Sequence, residues 1–401
     1  MFFQYAIPLS AWAVLLPMAA ELGFADSDFG SREEDTRVLE AAESRSDMAC
    51  ELFPAKAVLG WDIKFHAGYE LALPLRELYG SGNTLSALYR VAAKGTREAV
   101  YFRQRAVVPP IKERSGDISL FGSFDIGEGS YHVDWMMRDG RGRFCSAHWN
   151  VDAALPPNDR NVAVALPPGS ICRSTDEQFQ SEPEAQHKTK GPQLRVKVLV
   201  NAAPSRPHAA ALDPKDRIVL ASILRSLARD PRVGRISLVA FNIEQRKVLY
   251  RQNSYDQIDF PAVGAALASL KLGFVDVKQL QNRNGDIEFL SDLVKNEFVS
   301  NIPPDGLIFA GPKSLMDSCI SKADLKEIGK LGYPVFNLTY STEADAMLWP
   351  DAIGRVVRFF KGQEYEITVP HELWNAVNDA VGRIEKSKQE LATHSPAAQT
   401  R

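Results

Sequence analysis

The apolar residues of this chain change period once along its length. From Trp61 to Val151 they alternate with polar residues, or cluster as aromatics, in six short runs: Trp61–His66, Leu85–Val91, Ala99–Val107, Ile118–Phe124, Tyr131–Met137 and Cys145–Val151. Alternation sends successive side chains to opposite faces, so each run predicts a strand with one buried side. Gly80-Ser-Gly-Asn83, Gly127-Glu-Gly129 and Asp139-Gly-Arg-Gly142 lie between the runs and supply turn chemistry. Several short strands punctuated in this way predict an antiparallel β-sandwich over residues 50–172.

After Leu194 the pattern becomes that of strands alternating with helices. Val196–Val200 is a continuous apolar run, and the next segment opens with Asp213 placed to cap a helix and Pro214 at its first position. Ile236–Phe241 and Lys247–Arg251 suit a hairpin; Phe260–Leu270, Ile287–Phe298, part of Leu315–Leu331 and His371–Lys388 carry helical spacing; Gly306–Ala310 and Val335–Thr339 read as buried strands. The alternation predicts a Rossmann-like, mainly parallel three-layer α/β/α domain over residues 193–388.

Three further segments complete the organisation. Residues 173–192 hold one large apolar residue in twenty and read as an interdomain linker, residues 26–49 as a flexible lead-in, and residues 389–401 as a disordered tail. Phe2–Ala20 carries no charged side chain and leads to Gly23-Phe-Ala25, a small-x-small site, so residues 1–25 are expected to be a signal peptide and the protein secreted or periplasmic. The same stretch also suits a retained anchor, and no other segment is apolar for the ~20 residues a membrane span needs.

Composition adds limits. A length of 401 residues with 45% hydrophobic and 24% charged side chains suits two globular domains. A formal net charge of −3 offers no general attraction for nucleic acid or anionic lipid, and neither is expected as a partner. The four cysteines form no Cys-x-x-Cys pair. In an exported protein a disulfide among Cys50, Cys145 and Cys172 is expected, with its pairing open and buried thiols as the alternative.

Open α/β sheets bind ligands at the carboxyl ends of their strands. Three loops fall there: Asn201-Ala-Ala-Pro-Ser205, the turn Asn282-Arg-Asn-Gly285 with the helix start beyond it, and Gly311-Pro-Lys-Ser314. Asn201, Ala203, Ser205, Asn284, Asp286, Gly311 and Lys313 are therefore the candidate binding residues. The order of elements from Leu194 to Glu385 is similar to that of a von Willebrand factor type A domain. In that family the first strand ends in Asp-x-Ser-x-Ser and a later one in Thr-Asp-Gly, and these residues hold a divalent metal completed by a partner's carboxylate. At the matching positions stand Asn201, Ala203 and Ser205, and then Ala310-Gly-Pro312. The resemblance implies a member that has lost its metal site and engages another protein without metal or cofactor.

Other groupings carry chemistry less directly. His132 and Asp134 share a strand face and would need His66 or His148 to complete a metal site, a spacing that wet strand faces also show. Asp276, Asp286, Glu288 and Asp292 crowd a helix start, where carboxylates complement the dipole. No Gly-x-Ser-x-Gly elbow occurs, and Ser205 with His208 is the only nucleophile and base pairing in view. A non-catalytic, exported protein-binding protein is the leading expectation, and a hydrolase with its site at the domain interface or sheet edge is the alternative. Tyr69, Tyr79, Tyr101, Trp135 and Trp149 give the first domain an aromatic character, expected to serve packing or, where exposed, recognition.

Overall fold

The computed structural model describes residues 46–394 together with Arg37 and Leu39, leaving out residues 81, 97, 176–177, 182–192, 206–208, 210, 271–281, 283, 300–301, 315, 317–318 and 341–350. The signal peptide expected over residues 1–25, most of the linker, His208 and Asp276 lie outside the described residues.

The first half is built from strands β1 (Glu51–Leu59), β2 (Phe65–Pro74), β3 (Asn83–Ala93), β4 (Ala99–Val108), β5 (Asp117–Ile126), β6 (Gly129–Arg138), β7 (Phe144–Ala153) and β8 (Ile171–Arg173), with a single helical turn α1 (Leu75–Leu78) after β2. They form two antiparallel sheets, β1-β2-β5-β8 and β4-β3-β6-β7. The sheets share one core, to which the first contributes Leu71, Leu73 and Phe124 and the second Tyr89, Val133 and Trp135. Tyr69 sits edge-on to Tyr89 and Trp135 with ring centres 5.6 and 5.3 Å away, so most of the expected aromatic character is core packing. Cys50, just ahead of β1, is bonded to Cys145 on β7.

One local expectation changes, and a strand without a counterpart among the expected runs is added. Of the expected strand Trp61–His66 only Phe65 and His66 are strand, as the start of β2: Gly60 N–H donates to Lys64 O and Ile63 takes a positive φ of 58°, closing a tight turn over Trp61–Lys64. Trp61 leaves the sheet and packs against the core of the second half. β1 contains Pro54, which removes a ladder donor, and β1 accordingly lies at a sheet edge.

The second half contains β9 (Leu194–Asn201), β10 (Val233–Asn242), β11 (Lys247–Tyr255), β12 (Gly306–Pro312), β13 (Val335–Tyr340) and β14 (Gln363–Ile367), in the order β11-β10-β9-β12-β13-β14. Helices α2 (Pro214–Arg229), α3 (Phe260–Ala268) and α7 (Pro370–His394) contribute to the core on one face, and α4 (Gly285–Phe298), α5 (Lys322–Glu327) and α6 (Ala352–Phe359) to that on the other. The expected Rossmann-like, mainly parallel domain is corrected: the sheet is mixed, with β11 antiparallel to β10 at its edge, and among the described residues strand outweighs helix and is arranged in three sheets. The cause is the connection from Asn242 to Lys247, too short for the crossover a parallel pair requires, which turns back with Arg246 at φ 52°.

The polar connecting segments are anchored where they are described. Leu39, in the expected flexible lead-in, is 2% exposed and packs with Leu88, Met136 and Phe144. Phe179, the one large apolar residue of the expected linker, is buried in the core of the second half, and the Cα of Gly264 passes so close that an added Cβ would lie 2.6 Å from the Phe179 Cβ. α7 runs to His394, so residues 389–394 are helix rather than tail. Contacts between the halves include Asn161 Nδ2 donating to Asn375 Oδ1 at 3.1 Å and His371 Nδ1 at 3.4 Å from Asp159.

Candidate functional site

At the carboxyl edge of the mixed sheet the residues expected to receive a partner are occupied with one another. Asn201 closes β9, is 1% exposed, and donates from Nδ2 to Ser314 Oγ at 3.0 Å. Ala203 is buried among Leu199, Val239 and Phe241. Gly311 has φ 154°, and a Cβ there would meet the Asn201 carbonyl oxygen at 2.6 Å, which is why the end of β12 needs glycine. Ser205 N–H donates to Asp216 Oδ2 at 3.1 Å, and Asp216 also helps cap α2. Lys313 is paired with Glu366 at 2.7 Å.

Behind this edge lies Asp351, whose carboxylate accepts from Ser314 N–H at 3.2 Å, Ile353 N–H at 3.1 Å and Asn337 Nδ2 at 3.3 Å. Burial pushes its carboxyl above the usual carboxylate range. Asn201, Gly311 and Ser314 therefore meet, as strand order predicts, but as a closed packing arrangement. Asn284 and Asp286 sit at the start of α4 over the β10–β11 turn, where Arg246 Nε donates to Asp286 at 2.6 Å. That acidic helix start is tied to a cation from the neighbouring hairpin, with dipole compensation as its evident role.

A second cluster, built in the first half, was not anticipated. His66 on β2 lies between two carboxylates: Nε2 donates to Asp62 Oδ1 at 2.8 Å and Nδ1 to Asp125 Oδ1 at 2.8 Å. Gly60 makes room for the ring, since a Cβ there would fall 2.2 Å from it. Lys64 Nζ adds a cation 3.3 Å from Asp125 and 3.5 Å from Asp62, and Ser174 Oγ donates to Asp125. The hydrogen bonds to Asp125 and Asp62 hold the imidazolium, raising the His66 pKa to about 10. Burial is the largest single influence on both carboxylates and opposes their charge, but the hydrogen bonds from His66, the charges of His66 and Lys64 and, for Asp125, the Ser174 hydroxyl together hold them below their usual range. Cys172 on β8 pairs in register with Asp125, and its thiol is pushed up by burial and then by the Asp125 charge.

The expected partnership of His66 with His132 does not form, because His66 belongs to the β1-β2-β5-β8 sheet and His132 to the other. His132 instead reaches Asn150 at 2.9 Å and Asp134 at 3.0 Å, while Arg90 holds the far oxygen of Asp134 at 2.8 Å. The ring of His148 lies 6.3 Å from that of His132. Asp62, Asp125 and Cys172 carry no local spacing that marks them. Strand register brings Asp125 and Cys172 to His66, and the turn before β2 brings Asp62.

Between the halves is a cleft of about 490 Å³ whose lining includes Asp62, Ser222, Arg225, Arg232 and Trp374. Arg232 is committed to Asp230 at 2.6 Å, and among the described residues the lining holds no histidine to act as a base for Ser222. The interdomain hydrolase site therefore gains no nucleophile and base pair here.

No family model matches the chain, and no curated protein matches its sequence. Among solved structures it is similar to a mutant of the PilB minor pilin from Streptococcus sanguinis, at 10% identity and a TM-score of 0.32, covering 87% of this chain and 81% of that one. The unmutated PilB minor pilin gives 10% identity and 0.28 over 77% and 89% of the two chains. A Bacteroides uniformis beta-glucuronidase gives 8% identity and 0.19, with 87% of this chain against 32% of that one. Likenesses at this level carry no argument about activity or partner.

Proposed function

We propose that this chain is an exported, non-catalytic protein whose first half binds another protein through the outer face of the β1-β2-β5-β8 sheet. The observation that carries the reading is an apolar band on that face. Phe53 and Phe121 are both in register with Glu70, so they flank one carboxylate on the solvent side, and they are 47% and 66% exposed. Val58, in register with His66, adds a third exposed apolar side chain to the same face. Single exposed hydrophobics are ordinary, whereas several on one face with a polar rim have the composition of a recognition surface. The fitting partner is a protein segment with aliphatic side chains for the two phenylalanines and a lysine or arginine for Glu70.

Export is supported by the Cys50–Cys145 disulfide, which persists in oxidising compartments. Among the described residues no helix is long and apolar enough to cross a membrane. In this proposal the second half is likened to a von Willebrand factor type A domain whose metal positions have become packing positions. Asn201 bonded to Ser314 and Gly311 close against the Asn201 backbone support the packing role of those positions.

The test is site-specific photo-cross-linking in the producing cells, with the probe at position 53, 121 or, as control, exposed Thr96. One discrete protein adduct at 53 and 121, absent at 96 and competed by purified wild type but not by Phe53→Ser/Phe121→Ser, is the expected result. Adducts independent of position, or competition equal for both proteins, would overturn the reading.

A further inference from the structure

His66, Asp125 and Cys172 occupy consecutive strands of one sheet in direct register, β2 to β5 to β8. Residues opposite one another across antiparallel strands point to the same side, so an imidazole, a carboxylate and a thiol form one row on the outer face. Candidate ligand atoms of Asp62, His66 and Asp125 lie within 4.8 Å of one another. Asp125 is 1% exposed, and Cys172 is a free thiol in a chain that has oxidised another cysteine pair. We propose that this row is a site for a Zn²⁺-class ion, bound by His66 Nδ1, the Asp125 carboxylate and the Cys172 thiolate, with Asp62 holding the imidazole through Nε2–H.

The donor set selects the ion. Imidazole and thiolate favour Zn²⁺ and its neighbours over Mg²⁺ and Ca²⁺, which take oxygen ligands. A tetrahedral ion needs ligand atoms about 2.0–2.3 Å from a common centre; His66 Nδ1 and Asp125 Oδ1 are already 2.8 Å apart, and Cys172, outside the group within 4.8 Å but in register with Asp125, joins them by rotation of its side chain. Asp62 bonds the nitrogen opposite the one facing Asp125, the carboxylate–histidine–metal arrangement that fixes the ring and its tautomer. On binding, the His66 Nδ1 proton and the Cys172 thiol proton pass to solvent, and the charges of Asp125 and Cys172 balance the ion. The Lys64 ammonium, which now bridges the two carboxylates from a flexible stem, swings into water. A water molecule takes the fourth position.

Co²⁺ titration of the full chain, stripped with EDTA, tests the site. Wild type should bind one equivalent, with tetrahedral visible bands and a thiolate-to-cobalt charge-transfer band, and Zn²⁺ should abolish both. Cys172→Ser should lose the charge-transfer band while keeping the disulfide and fold, His66→Gln should lose binding, and Asp62→Asn should weaken Zn²⁺ by about 10–100-fold. His132→Gln should behave as wild type. Absence of the charge-transfer band in wild type, or its persistence in Cys172→Ser, would overturn the assignment whether or not His66→Gln folds.

Discussion

Replacing Gly311 by alanine tests whether the carboxyl edge of the mixed sheet is a rigid packing element. The added Cβ would stand 2.6 Å from the Asn201 carbonyl oxygen and 2.9 Å from the Asn201 Cβ, and the backbone holds φ 154°. The nearest atom belongs to the backbone of β9, so rotation of a side chain cannot relieve the contact. A residue forced into a glycine-favoured region costs ~1–3 kcal/mol, and forcing an extra carbon into close packing costs a similar amount, for a total of about 2–6 kcal/mol. Gly329→Ala is the control in the same half: its φ is +80°, yet nothing lies within 4 Å of the new Cβ, so it carries the backbone cost alone. Urea denaturation followed by circular dichroism compares them. With a slope of about 2–3 kcal/mol per molar, Gly311→Ala should lower the midpoint of the second half by about 1–3 M, clearly more than the control. Equal midpoints for the two variants would mean that the Asn201 backbone yields, and the account of a closed edge would be wrong.

Three further outcomes are expected. In metal-free protein, His66 has a folded pKa of about 10 against 6.5 for the free side chain, so its stabilisation is full below 6.5 and is lost as pH rises towards 10. Asp62 and Asp125, lowered from 3.8, contribute above that value and lose their contribution as pH falls below it. Urea midpoints for wild type and His66→Gln should therefore converge on the alkaline side, and parallel profiles would contradict the clamp. Cys145→Ser should cost ~2–4 kcal/mol by freeing a link between residues 95 apart in sequence, and reductant should destabilise wild type but not the variant. Phe179→Ala, in a segment that composition alone marks as a linker, should cost ~3–5 kcal/mol in thermal or urea unfolding, against no change if the segment were unattached.

Much of the local structure follows from spacing along the chain. The apolar run at β9, the Asp213 cap with Pro214 at the start of α2, and the strands at β12 and β13 are set by residues within a few positions of one another. That Asn201, Ala203 and Gly311 bring no carboxylate or hydroxyl group to their positions is likewise readable from the sequence. What those residues do is a tertiary matter. Ala203 and Gly311 look like open loop positions until β9 and β12 are paired, when one enters the core and the other presses on Asn201.

The Asp62, His66, Asp125 and Cys172 row shows the division most clearly. Periodicity assigns a residue to one of two strand faces, but it cannot say which strand is adjacent or at what register, and a shift of one residue reverses every face. That choice is made by the shared core of the two sheets, where Leu71, Phe124 and Trp135 must all be buried at once. The same holds for Cys50 with Cys145 and for Phe179, whose burial depends on a close approach that Gly264 permits on a helix far along the chain. Sequence determined most of the elements, though not β1, β8, β14 or α6, and the residues available at their ends. Pairing between distant segments, fixed by simultaneous burial of apolar faces, decided which of those residues meet.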